Sequence, residues 1–529
     1  MGATLLYSRT APLCIGGTIM NFIDVFQRTV RCHGDETAVI ADEGTVTYDE
    51  LNDRAERLAN ALEERIPGER CAVLAHNGLA AIDSMIAGGK RGRGTVQLPY
   101  RAAPAEIEAM LDTADASGLV FDDANADLAR AVLDRTDLDC ALRTGDGFIE
   151  RPLVEDYGAA LDTAPAGEPD RTGNEYGVFF TSGTTSDPKA LLFDQEQLWH
   201  GSTQVIMEMG IEETDRALVT TPWFHMVTTD AWILPHLQAG ATLVLQPTFD
   251  PDTALEHIAD HDLTGLLAVP TQLTAMIDAQ VEAEYDVDTL SYIRTGGSVV
   301  TPRLIRRASE HLTEGVYNTY GLTEGGPNLA FAHPSRQTDH TGTIGTESFM
   351  WELRVVEAAS PDELPDAESV VNPGETGELL AHGPAMTDGY LGDPPAAETL
   401  FVDGWLRTND VVRVDEGGYL HVVDRVDNMV ITGGENVYPQ EIERIFEGHD
   451  AVRESVVFGR PDEEWGEALC AVISTTEAVT EAELDGFCLD HDDLADFKRP
   501  RRYALTTEPL PRTDTGTLQR TVAIERFFE

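Results

Sequence analysis

Lysine is almost missing from this chain. Three are present, Lys90, Lys189 and Lys498, and arginine supplies the rest of the 37 basic side chains against 93 acidic ones. The formal net charge of -56 excludes nucleic acid and anionic membrane as partners of the surface at large. The acids run along the whole length, interleaved with apolar periodicity, so an acidic disordered tail is excluded too. Solvation in high salt, where screening removes much of the self-repulsion, is the expected reason, and it points to a halophilic source. Cysteine is scarce and scattered: Cys14, Cys32, Cys71, Cys140, Cys470 and Cys488 form no C-x-x-C pair. That argues against zinc and disulfide frameworks and for a reducing, cytoplasmic compartment. No apolar run reaches the roughly 18 residues a membrane span needs, so none is predicted. Residues 11–20 (APLCIGGTIM) hold two glycines and follow a lone Arg9, a poor match to a signal peptide. Residues 1–20 are read as a non-structural extension, with Met20 as the start.

What is present is ample core material. Hydrophobic residues make up 42% of 529, too many residues for one core, so at least two domains are expected. Thr47-Tyr48-Asp49-Glu50 is a capping box, and Leu51, Ala55, Leu58 and Leu62 behind it mark one helical face. A buried strand over 71–78, a helix near 79–90, a strand near 95–99, a helix over 104–113 and a strand over 118–122 follow. This alternation predicts an α/β fold with parallel-rich sheets. Residues 140–175, polar and rich in Gly, Pro and Asp, read as a connecting excursion. The pattern resumes from Tyr176 to Phe331, and from Ser348 short strands and turns predict a small β-rich subdomain. The expected domains are 21–427 and a small, mobile α+β C-terminal unit at 428–529.

The most informative local stretch is FFTSGTTSDPKA (179–190). Thr181, Ser182, Gly183, Thr184, Thr185 and Ser186 crowd between a strand and Lys189. Hydroxyls, backbone N–H groups and a close-approach glycine suit phosphate oxygens, and Lys189 adds a point charge. It is not a Walker loop, since G-x-x-x-x-G-K-[ST] is absent. Taken alone, a solvent loop between strand and helix is an equal alternative.

TSGTTSDPK resembles the signature loop of the adenylate-forming superfamily of acyl-CoA synthetases, nonribosomal peptide synthetase adenylation domains and luciferases. Further motifs stand in the family's order. TGGSVV (295–300) is similar to its adenine segment, YNTYGLTE (317–324) to its Y-G-x-T-E box, and GETGELLAHGPAMTDGY (374–390) to its G-E-L stretch. Residues 404–443 resemble the stretch with its ribose-binding Asp, hinge and G-G-E-N-V-x-P loop, and PRTDTGTLQR (511–520) its terminal motif.

The resemblance implies ATP-dependent activation of a small-molecule carboxylic acid as its acyl-AMP, then transfer to coenzyme A. Tyr320 would stack on adenine, with Gly296 and Gly297 along it, Asn318 at its amino edge and Gly321 beside it. Thr323 would touch the α-phosphate and Glu324 hold Mg²⁺. Asp410 and Arg425 would bind the ribose, and His225 would gate the acyl pocket, sought at His225–Trp232 and Gly296–Leu322. Thr184 and Lys189 would act on the phosphates, Asn428 would lie at the hinge, and the loop beginning Gly433-Gly434 would turn toward the thiol. The chemistry suits these types: two anions must meet, so cations and a metal offset their repulsion. Each residue also has an ordinary alternative: an exposed glutamate, a turn aspartate, a core tyrosine, a satisfied buried histidine.

Three departures matter, one of them Asn428, where the family often has an acid at the hinge. The family's terminal lysine, which bridges carboxylate and α-phosphate, is Thr517 here. Loss of one such contact costs about 3–4 kcal/mol, or roughly 10²–10³ in rate. Adenylation is then slow, or Arg512, Arg520 or Lys498 reaches in, or the chain binds nucleotide without efficient chemistry. Asn409 replaces a glycine before Asp410. No carrier domain follows Glu529, so a free thiol is the expected acceptor, with a separate carrier protein as the alternative.

Overall fold

The computed structural model describes residues 21–528 apart from 146, 148–150, 182–188, 338–339, 341, 360–362, 393–394, 433–434, 463–464, 492–493 and 513–517. The expectations for residues 1–20, Ser182, Gly183, Thr184, Thr185, Gly433, Gly434 and Thr517 lie outside the described residues.

The two largest sheets are parallel at their centres. In the nine-stranded sheet, Val316–Tyr320, Tyr292–Gly296, Gly265–Leu267, Arg216–Val219, Thr242–Leu245 and Thr37–Ala41 run parallel in that order, with antiparallel strands at both edges. The seven-stranded sheet runs parallel from Val154–Asp156 through Cys140–Arg143, Ala116–Phe121, Arg70–Leu74 and Thr95–Gln97 to Glu175–Thr181, and closes on antiparallel Lys189–Asp194.

Helices fill the space between these sheets. One core joins Val39, Val219 and Leu243 of the larger sheet to Val73, Val120 and Phe179 of the smaller through helices Phe22–His33, Tyr48–Arg65 and Leu79–Arg91. Separate cores cover the outer faces, so the layers alternate helix, sheet, helix, sheet, helix. Tyr48–Arg65 begins at the expected box, with both Thr47 and Glu50 hydrogen bonds formed. Leu79–Arg91, apolar nearly all round, is buried at every position, as its central place demands. Its charged members are paired: Asp83 with Arg54 at 2.6 Å, Lys90 with Glu56 at 3.1 Å and Arg91 with Glu63 at 3.1 Å.

Residues 140–175 correct the expectation of an excursion. Cys140–Arg143 and Val154–Asp156 extend the seven-stranded sheet, and Tyr157–Thr163 is a helix. The strands are only four and three residues long, and the outermost is polar and partly exposed, so neither stands out in the sequence.

A small five-stranded sheet (Glu352–Val356, Thr376–His382, Trp405–Val414, Phe401–Val402, Leu420–Arg425) forms the β-rich subdomain. The small C-terminal domain has its own five-stranded sheet, built on Val452–Asp462 and Gly466–Thr475, with helices Pro439–Phe446, Glu481–Leu489 and Arg520–Phe527. Its cores are separate, around Ile442 and Phe446 on one face and Val456 and Phe528 on the other.

Candidate functional site

The site gathers where strands Tyr292–Gly296 and Val316–Tyr320 end side by side, in register from Ile293↔Val316 to Gly296↔Thr319. The carboxyl ends of parallel strands are where such folds take ligands. Close approach demands glycine at two positions here, and a left-handed backbone favours it at a third. A Cβ on Gly296 would lie 2.2 Å from the Thr319 carbonyl oxygen, and one on Gly321 2.4 Å from the Pro327 carbonyl carbon. Gly297 has φ +77° and open space beside it.

Tyr320, last in its strand, donates its hydroxyl to Asp410 Oδ2 at 2.5 Å, and Arg425 Nη1 reaches Asp410 Oδ1 at 3.0 Å. The structure thus brings together three residues that are far apart in sequence. Asp410 and Arg425 face each other across strands Trp405–Val414 and Leu420–Arg425. Burial raises the Asp410 pKa, while Arg425 and Tyr320 pull it back. Asn409 has φ +58°, a left-handed conformation that asparagine tolerates better than most residues. This accounts physically for asparagine in place of glycine there. Asn318 is buried and spends its Nδ2 on the Thr343 carbonyl at 2.8 Å, leaving the amide oxygen as the atom that would meet an amine.

Glu324 sits in the turn Thr323–Gly325, half-buried. Tyr390 donates its hydroxyl to Glu324 Oε1 at 2.6 Å, and Thr387 N–H donates to the Glu324 carbonyl at 2.9 Å. The ring of Tyr390 has the Lys189 ammonium 5.6 Å from its centroid, within reach of a cation–π attraction. Burial and the Glu324 charge push the Tyr390 hydroxyl pKa well up, keeping it a donor. Leu391 N–H also bonds the Ala190 carbonyl at 2.8 Å, so segment 387–391 ties the strand Lys189–Asp194 to the Glu324 turn. Nothing in the residue types around Tyr390 assigns it a role. Only its place at the end of the G-E-L stretch could have flagged it.

Thr181 and Lys189 stand opposite each other as the last pair of an antiparallel ladder. The loop between them therefore joins two strands, and the helix Gln195–Met209 begins only after the second. The run Ala190-Leu191-Leu192-Phe193 favours this extra strand.

His225 precedes the short helix Met226–Thr228, half-buried, its ring 4.4 Å from that of Phe224. Trp232 departs from the expected acyl pocket. It is fully buried, donates Nε1–H to the Leu218 carbonyl at 2.8 Å and packs on His236 and Tyr292. Thr229 likewise turns inward, donating to the Trp223 carbonyl at 2.6 Å.

The three cations considered as substitutes for the terminal lysine are engaged within the C-terminal domain. Lys498 pairs with Glu441 at 2.7 Å, Arg512 with Glu454 at 2.5 Å and Arg520 with Glu443 at 2.7 Å. Asn428 Nδ2 donates to Asp424 Oδ1 at 2.9 Å.

Fold and site together define an α/β protein that gathers aromatic, acidic and basic side chains at the carboxyl ends of its parallel strands. Residues 26–391 match the AMP-binding enzyme family, and residues 441–517 its C-terminal domain. A feruloyl-CoA synthase from Amycolatopsis is 31% identical over 94% of this chain and 98% of its own. An indoleacetate–CoA ligase from Aromatoleum aromaticum is 32% identical over 92% and 94%. The solved o-succinylbenzoate CoA synthetase from Bacillus subtilis, in complex with its acyl-adenylate intermediate, superimposes with a TM-score of 0.79 at 25% identity, covering 94% of this chain and 97% of that one. This chain belongs to the AMP-binding enzyme family.

Proposed function

We propose that the chain is an AMP-forming acid–thiol ligase that activates a carboxylic acid with ATP and passes the acyl group to coenzyme A. One observation carries this reading: Tyr320, Asp410 and Arg425 form a bonded cluster at the strand ends where Glu324, Tyr390 and Lys189 also meet. The first cluster suits a nucleoside, and the second suits its phosphates.

In the first step a carboxylate oxygen of the acid attacks the α-phosphorus, and the bond to pyrophosphate breaks. Lys189 and the hydroxyls of the loop beginning at Thr181 offset the charge of the two anions as they meet. Asp410 accepts from the ribose hydroxyls, exchanging the Tyr320 hydroxyl for them, and the Tyr320 ring gives the base a flat face. Asn318 offers its amide oxygen to the amino edge. In the second step the thiol sulfur attacks the acyl carbon, AMP leaves with its bonding pair, and the thiol proton passes to solvent. His225 and Val227 would line the acyl side, with the C-terminal domain turning about 425–430 between steps.

Magnesium fits the donor set. Glu324 keeps a second carboxylate oxygen beyond the one on Tyr390, and no cluster of three or more His, Cys, Asp or Glu ligands forms among the described residues. Mg²⁺ is ordinarily held by one or two carboxylates together with phosphate oxygens. Bound there, it would neutralise phosphate charge.

The names of the relatives support coenzyme A as acceptor and make aryl acids the first class to try, ahead of fatty acids. Loading of a separate carrier protein is the alternative. Thr517, with Lys498, Arg512 and Arg520 all engaged elsewhere, favours a second reading in which adenylation is slow. We place the domain boundary at 427/428 and the protein in the cytoplasm. No described helix is long and apolar enough to cross a membrane. The test is AMP release with ATP, an acid and either coenzyme A or carrier protein. Release that requires the acid and coenzyme A supports the reading, and release indifferent to both contradicts it. Thr517→Lys should speed the adenylation step if the rest of the site is intact.

A further inference from the structure

Asp424 ends the last strand of the N-terminal domain but one residue, just before the segment about which the C-terminal domain is proposed to turn. Its side chain is fully buried and every described hydrogen bond to it comes from a donor. Oδ1 accepts from the Arg425 N–H at 2.7 Å and from Asn428 Nδ2 at 2.9 Å. Oδ2 accepts from the Gln440 N–H at 2.7 Å. The first two donors belong to the pivot, and the third belongs to the C-terminal domain.

Gln440 is the second residue of helix Pro439–Phe446. An N–H at that position has no acceptor within its own helix. The residue at the cap position is Tyr438, which makes no side-chain cap bond. The helix therefore takes its cap from a carboxylate on the other domain. Around that bond, Arg444 donates to the Val422 carbonyl, and Tyr438 packs on Val411, Val423 and Val426. Arg520, held on Glu443, also feels the Asp424 charge.

We propose that Asp424 is a positioning residue: a latch that caps the first helix of the C-terminal domain in one orientation and must release it for the domain to turn. This rests on the two-step reading above. Turning about 425–430 carries Gln440 away, while Asp424 stays with the sheet. The Oδ1 bonds lie on the pivot and the Oδ2 bond spans it, so the same carboxylate both stiffens the pivot and opposes its rotation.

Asp424→Asn keeps the size of the side chain but gives it only one acceptor edge. Since the partners on both edges are donors, the amide places N–H against N–H on one of them. The expected result is hydrogen exchange at the Gln440 amide faster by roughly fivefold or more, the scale of a lost helix cap. The ratio of the two half-reaction rates, measured as pyrophosphate exchange and as coenzyme A discharge of preformed acyl-AMP, should shift by a similar factor. Unchanged exchange at Gln440, or an equal slowing of both half-reactions, overturns the latch.

Should the variant fail to fold by thermal melting, wild-type enzyme decides. Exchange at Gln440 should differ between enzyme with ATP and acid and enzyme with acyl-AMP and coenzyme A. If a fluorophore pair across the domains moves while Gln440 protection stays constant, the latch is wrong and the turning domain stands. If neither changes, the turning domain fails with it.

Discussion

Tyr390 joins two charges that the chemistry needs close together. Its hydroxyl fixes one oxygen of Glu324, and its ring faces Lys189. A hydrogen bond to a charged group contributes about 1.5–3 kcal/mol, so Tyr390→Phe should slow adenylation roughly ten- to hundredfold at low magnesium, with partial recovery as magnesium is raised. Pyrophosphate exchange titrated with the metal checks this, and an unchanged metal requirement contradicts it. Asp410 predicts a pH dependence. Burial raises its pKa in the folded protein, so its contribution to stability is present below the unfolded pKa and lost as pH rises through the folded one. Nucleotide affinity runs the other way, because ribose hydroxyls donate to the carboxylate. ATP binding should weaken as pH falls from about 8 toward the raised pKa, above the ordinary aspartate value of about 3.9, and Asp410→Asn should flatten that profile.

The elements differ in how openly the sequence announces them. The box Thr47–Glu50 and the four-three-four spacing from Leu51 to Leu62 mark the helix Tyr48–Arg65, because a partly exposed helix must show one apolar face. Edge strands such as Val154–Asp156 carry polar residues and leave no such mark. The residues of the nucleoside cluster could be named from ordered motifs, but their bonding could not. The pairing of Tyr320 with Asp410 depends on how the small sheet docks on the large one. Asp424 was equally silent, since its partners lie 1, 4 and 16 residues onward and the last belongs to another domain. Beneath Asp410, the strand Trp405–Val414 is held by a buried pair, Arg407 Nε with Glu378 Oε1 at 2.5 Å, both side chains at most 2% exposed. Glu378→Ala would strand a guanidinium in the core, and it should cost about 3–5 kcal/mol. Thermal melting checks this, and a loss under about 1 kcal/mol would mean that Arg407 finds water or another partner.

For the whole molecule, charge is the dominant fact. A net charge of -56 on a 529-residue chain sets the surface against itself in dilute buffer. The Debye length shrinks from about 10 Å at 0.1 M salt to about 3 Å at 1 M, so the melting temperature should rise over that range, and a flat or falling curve would remove the halophilic reading. The ordered motifs, the family match and the converging side chains all bear on one central claim: that this site joins an organic acid to AMP. The most direct test is acid-dependent exchange of pyrophosphate into ATP by protein folded in high salt, across aryl, fatty and short-chain acids, for wild type and Glu324→Gln. The account predicts exchange with at least one acid class, slow because of Thr517 and much reduced by the substitution. Absence of exchange with every acid despite measurable ATP binding, or exchange unaffected by the loss of Glu324, would contradict it.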